Sequence, residues 1–302
     1  MCPKTDTMIY IPKEHSDRMT IVCFVSGSGT NYQRIVERDL DHDYVVFTNR
    51  ADCGGIEKAR ANNHITIELS HVPYLTAARD KYGPMNIPRN CPERVEYEQD
   101  VWRLIEGKIG KAPDLVCLAG YDQWLTDWTV DRYYPRILNV HPGDTTKDYS
   151  GLHWVPTAKA ILSGDKEIRS TLFIVDKGED TGPVLAQSRP LEIIPTLRVL
   201  EAEGIEALVD GFDTVINYSN QQNMTSYDEF DKLADVGKKA IMKQLCTRLQ
   251  GALKKAGDWE VYPFAVHALI ARGRVQVVGR MVYVDGRQMP DYGYRMDQEL
   301  AK

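Results

Sequence analysis

Three short segments hold the residues best suited to chemistry: Asn139-Val140-His141-Pro142, then Gly151-Leu152-His153 beginning ten residues after the histidine, then Asp180-Thr181-Gly182-Pro183. Asn139 and His141 are two apart, so in extended backbone they point to the same side. An amide donor beside a titratable imidazole suits acyl transfer to an amine. The imidazole moves protons near neutral pH, and the amide stabilises a developing oxyanion. A carboxylate such as Asp180 would hold that imidazole in place and favour its cationic form. Taken singly, each piece has a plainer reading. A histidine at a strand end is commonly structural, and Asp180 before Thr-Gly-Pro is an ordinary turn residue. His153 reads equally as an acceptor ligand or as the cap of the helix that follows.

The elements that must position these residues follow an alternating pattern. Thr20–Val25, residues 44–48, 65–69, 115–119 and 136–140 are apolar, β-branched runs of the kind buried on both faces of a parallel sheet. Between them residues 31–39, 55–62 and a stretch opened by Pro92 read as helices, whereas Pro73, Pro84 and Pro88 make residues 73–90 read as loop. Residues 155–162 form a short helix, and 170–175 and 183–190 two further strands. The predicted class is α/β, a Rossmann-like, mostly parallel sheet covered by helices. Ligands in such sheets gather beyond the carboxyl ends of the strands, which is where Gly120-Tyr-Asp-Gln and His141-Pro-Gly-Asp fall. After about Pro195 the pattern changes. Residues 197–218 and 227–255 read as helical, with Ile241, Leu245, Leu249 and Leu253 as a core or interface stripe, and Gly279-Arg280 joins two strands as a hairpin. The expected division is a domain over residues 1–195 and an extension over 196–302, mainly helical with a terminal β-hairpin.

Together the three segments resemble the folate-dependent formyltransferases, and most nearly the phosphoribosylglycinamide formyltransferases. The likeness runs from about Ile21 to Ile194 and includes Ser26-Gly-Ser-Gly-Thr-Asn31, Thr48-Asn49-Arg50-Ala51-Asp52 and Leu118-Ala119-Gly120. It implies the formyltransferase fold, 10-formyltetrahydrofolate as cosubstrate, no metal, and Asn139, His141 and Asp180 as the catalytic trio. It also implies that Tyr121, Gln123, Trp124 and Leu125, with Val175, Asp176 and Glu179, line the pterin pocket. Gly27, Ser28, Gly29, Thr30 and Asn31 would receive the acceptor's phosphate on free backbone N–H groups, with Gly151 and His153 also on the acceptor side. In the implied reaction the acceptor amine attacks the formyl carbon directly. Asn139 and His141 hold the oxyanion, and His141 moves a proton toward the departing nitrogen.

Departures from the family pattern bear on the acceptor. The loop Gly143–Ser150 is longer than the usual Ser-Leu-Leu-Pro and adds Asp144 and Asp148; Gln123 replaces a common arginine, and Phe173 a frequent histidine. No counterpart to the family's ribotide-closing segment is legible after Pro195. The alternatives are another amine acceptor such as an amino sugar nucleotide, a 10-formyltetrahydrofolate hydrolase, or a non-catalytic folate-binding module. A dinucleotide fingerprint is disfavoured, because Gly27-x-Gly29 is followed by Tyr32 where a third glycine belongs, and the second strand ends in Thr48-Asn49. Residues 196–302 are open to three roles: completing the acceptor site, a homodimer contact, or binding a partner protein.

Composition sets the class. The 302 residues are 43% hydrophobic, enough for a sizeable core, and a net charge of −6 gives no general footprint for nucleic acid or an anionic membrane. The polar amino terminus lacks a secretory signal's apolar core, and no apolar run is long enough to span a bilayer. Six scattered cysteines, without a C-x-x-C pair, suit a reducing cytoplasm; Cys23 and Cys117 read as buried small hydrophobes.

Overall fold

The computed structural model describes residues 6–12, 18–38, 41–84, 86–147, 149, 151, 153–204 and 207–298. Asp148, Ser150 and Leu152, singled out above, lie outside them, as does Cys2, one of the six cysteines. In chain order the first part comprises β1 (Asp6–Met8), β2 (Thr20–Val25), α1 (Thr30–Arg38), β3 (Asp43–Thr48), α2 (Gly54–Ala61), β4 (Ile65–Glu68), α3 (Val72–Tyr82), α4 (Pro92–Ile109), β5 (Leu115–Leu118), α5 (Asp127–Tyr133) and β6 (Ile137–His141). There follow α6 (Val155–Leu162), β7 (Glu167–Ile168), β8 (Thr171–Ile174), β9 (Val184–Gln187), β10 (Leu191–Glu192), α7 (Ile193–Ala202), α8 (Leu208–Gln221), α9 (Tyr227–Leu233), α10 (Val236–Leu253) and α11 (Trp259–Pro263). Wider helical turns flank α11 at Lys254–Asp258 and Phe264–Ile270, and the chain ends in β11 (Val275–Val278), β12 (Met281–Val284), β13 (Arg287–Gln288) and β14 (Tyr294–Arg295).

These elements group into two compact units. The first holds residues 1–140, 173–183 and 262–289; the second holds 141–172, 184–261 and 290–302. In the first unit β6, β5, β2, β3 and β4 lie side by side as parallel neighbours, with Val22 in register with both Val45 and Val116. Every residue of β2 and β5 is buried, as continuous apolar runs predict for strands covered on both faces. Cys23 and Cys117 face each other across this register as buried thiols. Phe24, Phe47, Trp102 and Tyr133 form the centre of the core, with ring centroids 4.8 Å apart for Phe24–Phe47 and 4.1 Å for Trp102–Tyr133. Helix α4 opens on Pro92 and closes at Gly110 in left-handed backbone, burying Tyr97, Val101, Trp102 and Ile105 between.

One expectation is corrected here. Residues 73–90, read as loop for their three prolines, contain helix α3. Pro73 sits in its first turn, where a backbone N–H has no helical partner to lose, and Gly83 ends the helix at φ +83° before Pro84 and Pro88. The hairpin agrees with expectation: Val278 pairs with Met281, and Gly279 turns at φ +63°.

The second unit packs a helical core. Asp235 caps α10 by accepting from the Lys238 N–H at 2.9 Å, and α10 then buries Leu245, Leu249 and Leu253, with Ile241 packed at the margin. Residues 197–218 resolve into two helices, α7 and α8. Within the unit β14 lies parallel to β9, and β10 antiparallel to β7.

Candidate active site

Strand β6 delivers the first two candidates. Its parallel register sets Asn139 opposite Leu118, and His141 is the strand's last residue. His141 is buried, and its Nε2 lies 2.9 Å from the Tyr149 carbonyl oxygen. Gly143 is required beside it: a Cβ there would meet Pro156 Cβ at 2.8 Å and the His141 ring at 3.3 Å. Loop 143–149 is therefore wrapped onto the imidazole. Asp144, expected as an added charge near the acceptor, is buried and accepts from Thr146 N–H at 3.0 Å, Thr146 Oγ1 at 2.6 Å and Gln187 Nε2 at 2.8 Å. It braces the loop.

The segment after β8 carries Val175, Asp176, Glu179 and Asp180. Val175 is buried and its N–H bonds Ile137 O at 2.8 Å, fastening this strand end to β6. Asp176 organises the turn. Its carboxylate accepts from Gly178 N–H at 2.9 Å, from Thr181 Oγ1 at 2.8 Å and from the Arg280 guanidinium. Burial raises its pKa, but these donors, led by Arg280, outweigh burial and hold the carboxyl below its usual range. Asp180 adopts φ +50°, left-handed backbone that is uncommon outside glycine, while Glu179 is exposed. Gly182 admits no side chain, because a Cβ would fall 1.7 Å from the Ile174 carbonyl oxygen. Phe173, where the family often has histidine, is filled into the core beneath.

The turn between β2 and α1 holds Gly27, Ser28, Gly29, Thr30 and Asn31. Gly29 has φ +64°, and a Cβ on it would lie 2.3 Å from Gly55 Cα, so the turn lies directly against the start of α2. The first helical bond runs from Gln33 N–H to Gly29 O, leaving the preceding N–H groups at the positive end of α1. Asn31 is buried with no hydrogen-bond partner for Oδ1 among the described residues, a cost of about 1–3 kcal/mol that a ligand would relieve.

Behind the turn lies a polar network. Ser26 Oγ donates to Asn49 Oδ1 at 2.7 Å and accepts from Asp122 N–H at 3.0 Å. Asn49 Nδ2 donates to Asp122 Oδ1 at 2.8 Å and to His71 Nδ1 at 3.1 Å, and Arg50 pairs with Asp122. Burial raises the Asp122 pKa, but donors from Gln123, Asn49 and Ser26, with the Arg50 charge, bring the carboxyl below its ordinary value. Among the residues predicted to line the pterin pocket, Tyr121 packs edge-on to Phe24 at 5.1 Å, Leu125 is buried, and Gln123 donates to Asp122. Trp124 is 53% exposed, which excludes it from the core.

Arg89 joins two of the predicted segments: Nε donates to Leu125 O at 2.7 Å, and the guanidinium also reaches Lys177 O and Asp176 O. Neither Arg89 nor Arg280 was legible as a site residue, because each acts on backbone or carboxylate far away in sequence. His153 is exposed at φ +55°, and Trp154, not His153, occupies the cap of α6, which removes the capping reading. Gly151 has φ +128° and abuts Val155. Among the described residues no group of three or more His, Cys, Asp or Glu could hold a metal, and no helix is long and apolar enough to cross a membrane.

The phosphoribosylglycinamide formyltransferase of Escherichia coli (strain K12) is 31% identical over 176 residues, covering 57% of this chain and 72% of that protein. The chloroplastic phosphoribosylglycinamide formyltransferase of Arabidopsis thaliana is 34% identical over 178 residues, and the matched stretch spans about half of its length, 54%. A solved phosphoribosylglycinamide formyltransferase from Coxiella burnetii shares the fold with a TM-score of 0.59 at 23% identity, covering 92% of this chain and 99% of that one. The family profile described as formyl transferase matches residues 19–204, more than half of the chain, and the protein therefore belongs to the formyl transferase family.

Proposed function

We propose that this protein transfers the formyl group of 10-formyltetrahydrofolate to the amine of a phosphorylated acceptor, phosphoribosylglycinamide being the first candidate. The observation that carries the reading is the end of β6 within the family match. Asn139 and His141 alternate there two residues apart, and the imidazole is buried and fixed through Nε2. The E. coli and Arabidopsis relatives bear the name of that same transferase.

In this reading Asn139 donates its amide hydrogen to the carbonyl oxygen of the formyl group as the amine adds to the carbon. His141 accepts the proton that the amine loses and returns it to the leaving nitrogen, and Asp180 is assigned to favour the charged imidazole. The pterin is assigned to backbone groups of Tyr121–Leu125 and of residues 175–179, with Leu125 and Val175 as apolar walls. The acceptor phosphate is assigned to the turn Gly27–Asn31, supported by the open helix start and the unpartnered Asn31 oxygen, and Gly151 and His153 to the acceptor side. Catalysis is assigned to residues 1–195, with 196–302 as the extension.

The test is incubation of purified protein with 10-formyltetrahydrofolate, with and without phosphoribosylglycinamide. Formyl transfer that depends on the ribotide supports the reading. Release of formate without any acceptor establishes a hydrolase instead, and release dependent on another amine reassigns the acceptor.

A further inference from the structure

The carboxyl-terminal hairpin touches the turn that carries Asp180. Strands β11 and β12 alternate buried valines, Val275, Val277, Val282 and Val284, with partly exposed neighbours, and β12 is flanked in its sheet by β11 and β13. The hairpin tip, Gly279-Arg280, is braced from the linker between α5 and β6, where the Tyr134 hydroxyl donates to the Gly279 carbonyl oxygen at 2.6 Å. From that tip the Arg280 guanidinium makes two contacts on one short segment. It pairs with Asp176 Oδ2 and donates to the Thr181 carbonyl oxygen. Asp176 carries the grip into the turn, because its Oδ1 accepts from the Gly178 N–H at 2.9 Å and from Thr181 Oγ1 at 2.8 Å. Arg89 adds a second hold, donating to the carbonyl oxygens of Asp176 and Lys177. Asp180 stands between the anchored positions 178 and 181, at a φ of +50° that a residue with a Cβ disfavours.

We propose that Arg280 is a positioning residue for the transfer reaction: by clamping Asp176 and the Thr181 carbonyl it sets the backbone that aims Asp180. The inference rests on the assignment of Asp180 to the catalytic trio. It goes beyond that assignment by drawing in a residue of the extension, well past the family match, which ends at residue 204. An ion pair between two exposed side chains would do little. Here the carboxylate is buried, and the same guanidinium also holds a main-chain carbonyl, a two-pronged contact that the planar fork of arginine allows and a lysine does not reproduce. Arg280 is assigned no contact with a reacting atom; its effect passes through the turn to the carboxylate at 180. Of the roles open to residues 196–302, the hairpin is thereby assigned to completing the site.

Steady-state turnover of 10-formyltetrahydrofolate by the whole protein, with whichever acceptor supports transfer, reads the clamp in a cycle of Arg280→Met and Asp180→Asn. Arg280→Met is expected to lower kcat about tenfold, as displacement of a catalytic group does, with KM for the acceptor within about twofold of native. On the Asp180→Asn background the same change should cost less than about twofold, since the group it positions is already disabled. Arg280→Lys keeps the charge without the fork and should recover part of the lost kcat. The Arg280 side chain is 58% exposed, so its variants are expected to fold, and urea unfolding checks that they do. Should Arg280→Met not fold, Arg280→Lys takes its place in the cycle and is judged by the same non-additivity. Equal losses on both backgrounds, or a loss of stability with native kcat, mark a merely structural arginine and overturn the proposal. Native kcat in Asp180→Asn removes that carboxylate's role and the clamp's purpose together, and absence of transfer to any acceptor sinks the folate reading. A loss in Asp180→Asn with none in Arg280→Met removes the clamp alone.

Discussion

His141 Nε2 lies 2.9 Å from the carbonyl oxygen of Tyr149. A carbonyl oxygen only accepts, so Nε2 carries a hydrogen in either charge state, and Nδ1 is the nitrogen whose protonation changes with pH. The backbone of a loop thus selects the tautomer of the proposed base.

Replacing His141 by alanine should lower kcat for formyl transfer at least about a hundredfold, and Asn139→Ala should lower it about a hundredfold to a thousandfold. Steady-state kinetics with 10-formyltetrahydrofolate and phosphoribosylglycinamide checks both. Near-native kcat in the histidine variant would refute its role.

Gly143→Ala should impair turnover through the ring. The added methyl meets Pro156 Cβ at 2.8 Å and the His141 ring at 3.3 Å, so loop and imidazole must shift. A displacement of that kind is expected to reduce kcat by about tenfold or more. A structure of the variant with an unmoved ring and full activity would contradict this.

Arg280→Met removes the partner of a buried carboxylate. Asp176 is depressed in pKa, so its stabilising contribution is complete above the ordinary carboxylate value near 4 and is lost as pH falls through the lower folded value. The variant should be less stable at pH 7 by about 1 kcal/mol, a figure discounted because the guanidinium is more than half exposed. Urea unfolding should show the gap closing on acidification; a gap independent of pH would rule out the ion pair as its cause.

Glu98 shows the opposite sign. Burial raises its pKa, only partly offset by donors from Thr126 and Thr129. A carboxyl whose folded pKa is raised costs nothing below its unfolded value, and the cost grows as pH rises toward the folded one. The stability of the native protein relative to Glu98→Gln should therefore fall between about pH 4 and neutrality. Denaturant titrations at several pH values test this, and a constant difference would contradict it.

Much of this fold and its candidate site was legible because the information is local. The buried strands announce themselves as unbroken apolar runs, and the Asn139–His141 alternation is a property of extended backbone alone. Gly182 and Gly143 stood in the quoted segments without a stated reason; the Ile174 carbonyl and the His141 ring supply it. Helix α3 was missed because proline at a first turn and proline in a loop look alike without the buried Leu75 and Ala78 that distinguish them. Helix α5 passed unread as well, being only seven residues long. The clamps made by Arg89 and Arg280 were invisible for a different reason. They join segments about 90 to 100 positions apart, a distance over which no spacing rule operates.

The contact between Gly29 and Gly55 limits how this enzyme can be remodelled. With a Cβ on Gly29 falling 2.3 Å from Gly55 Cα, and one on Gly55 2.7 Å from Val25 Cγ2, two stretches of main chain meet directly and the Val25 side chain closes the space beside them. Variation there has almost no small steps available: any substituent must separate a strand end from a helix start. Selection for a different acceptor is thereby channelled to walls built of exchangeable side chains, and this turn should stay fixed in any engineered change of specificity.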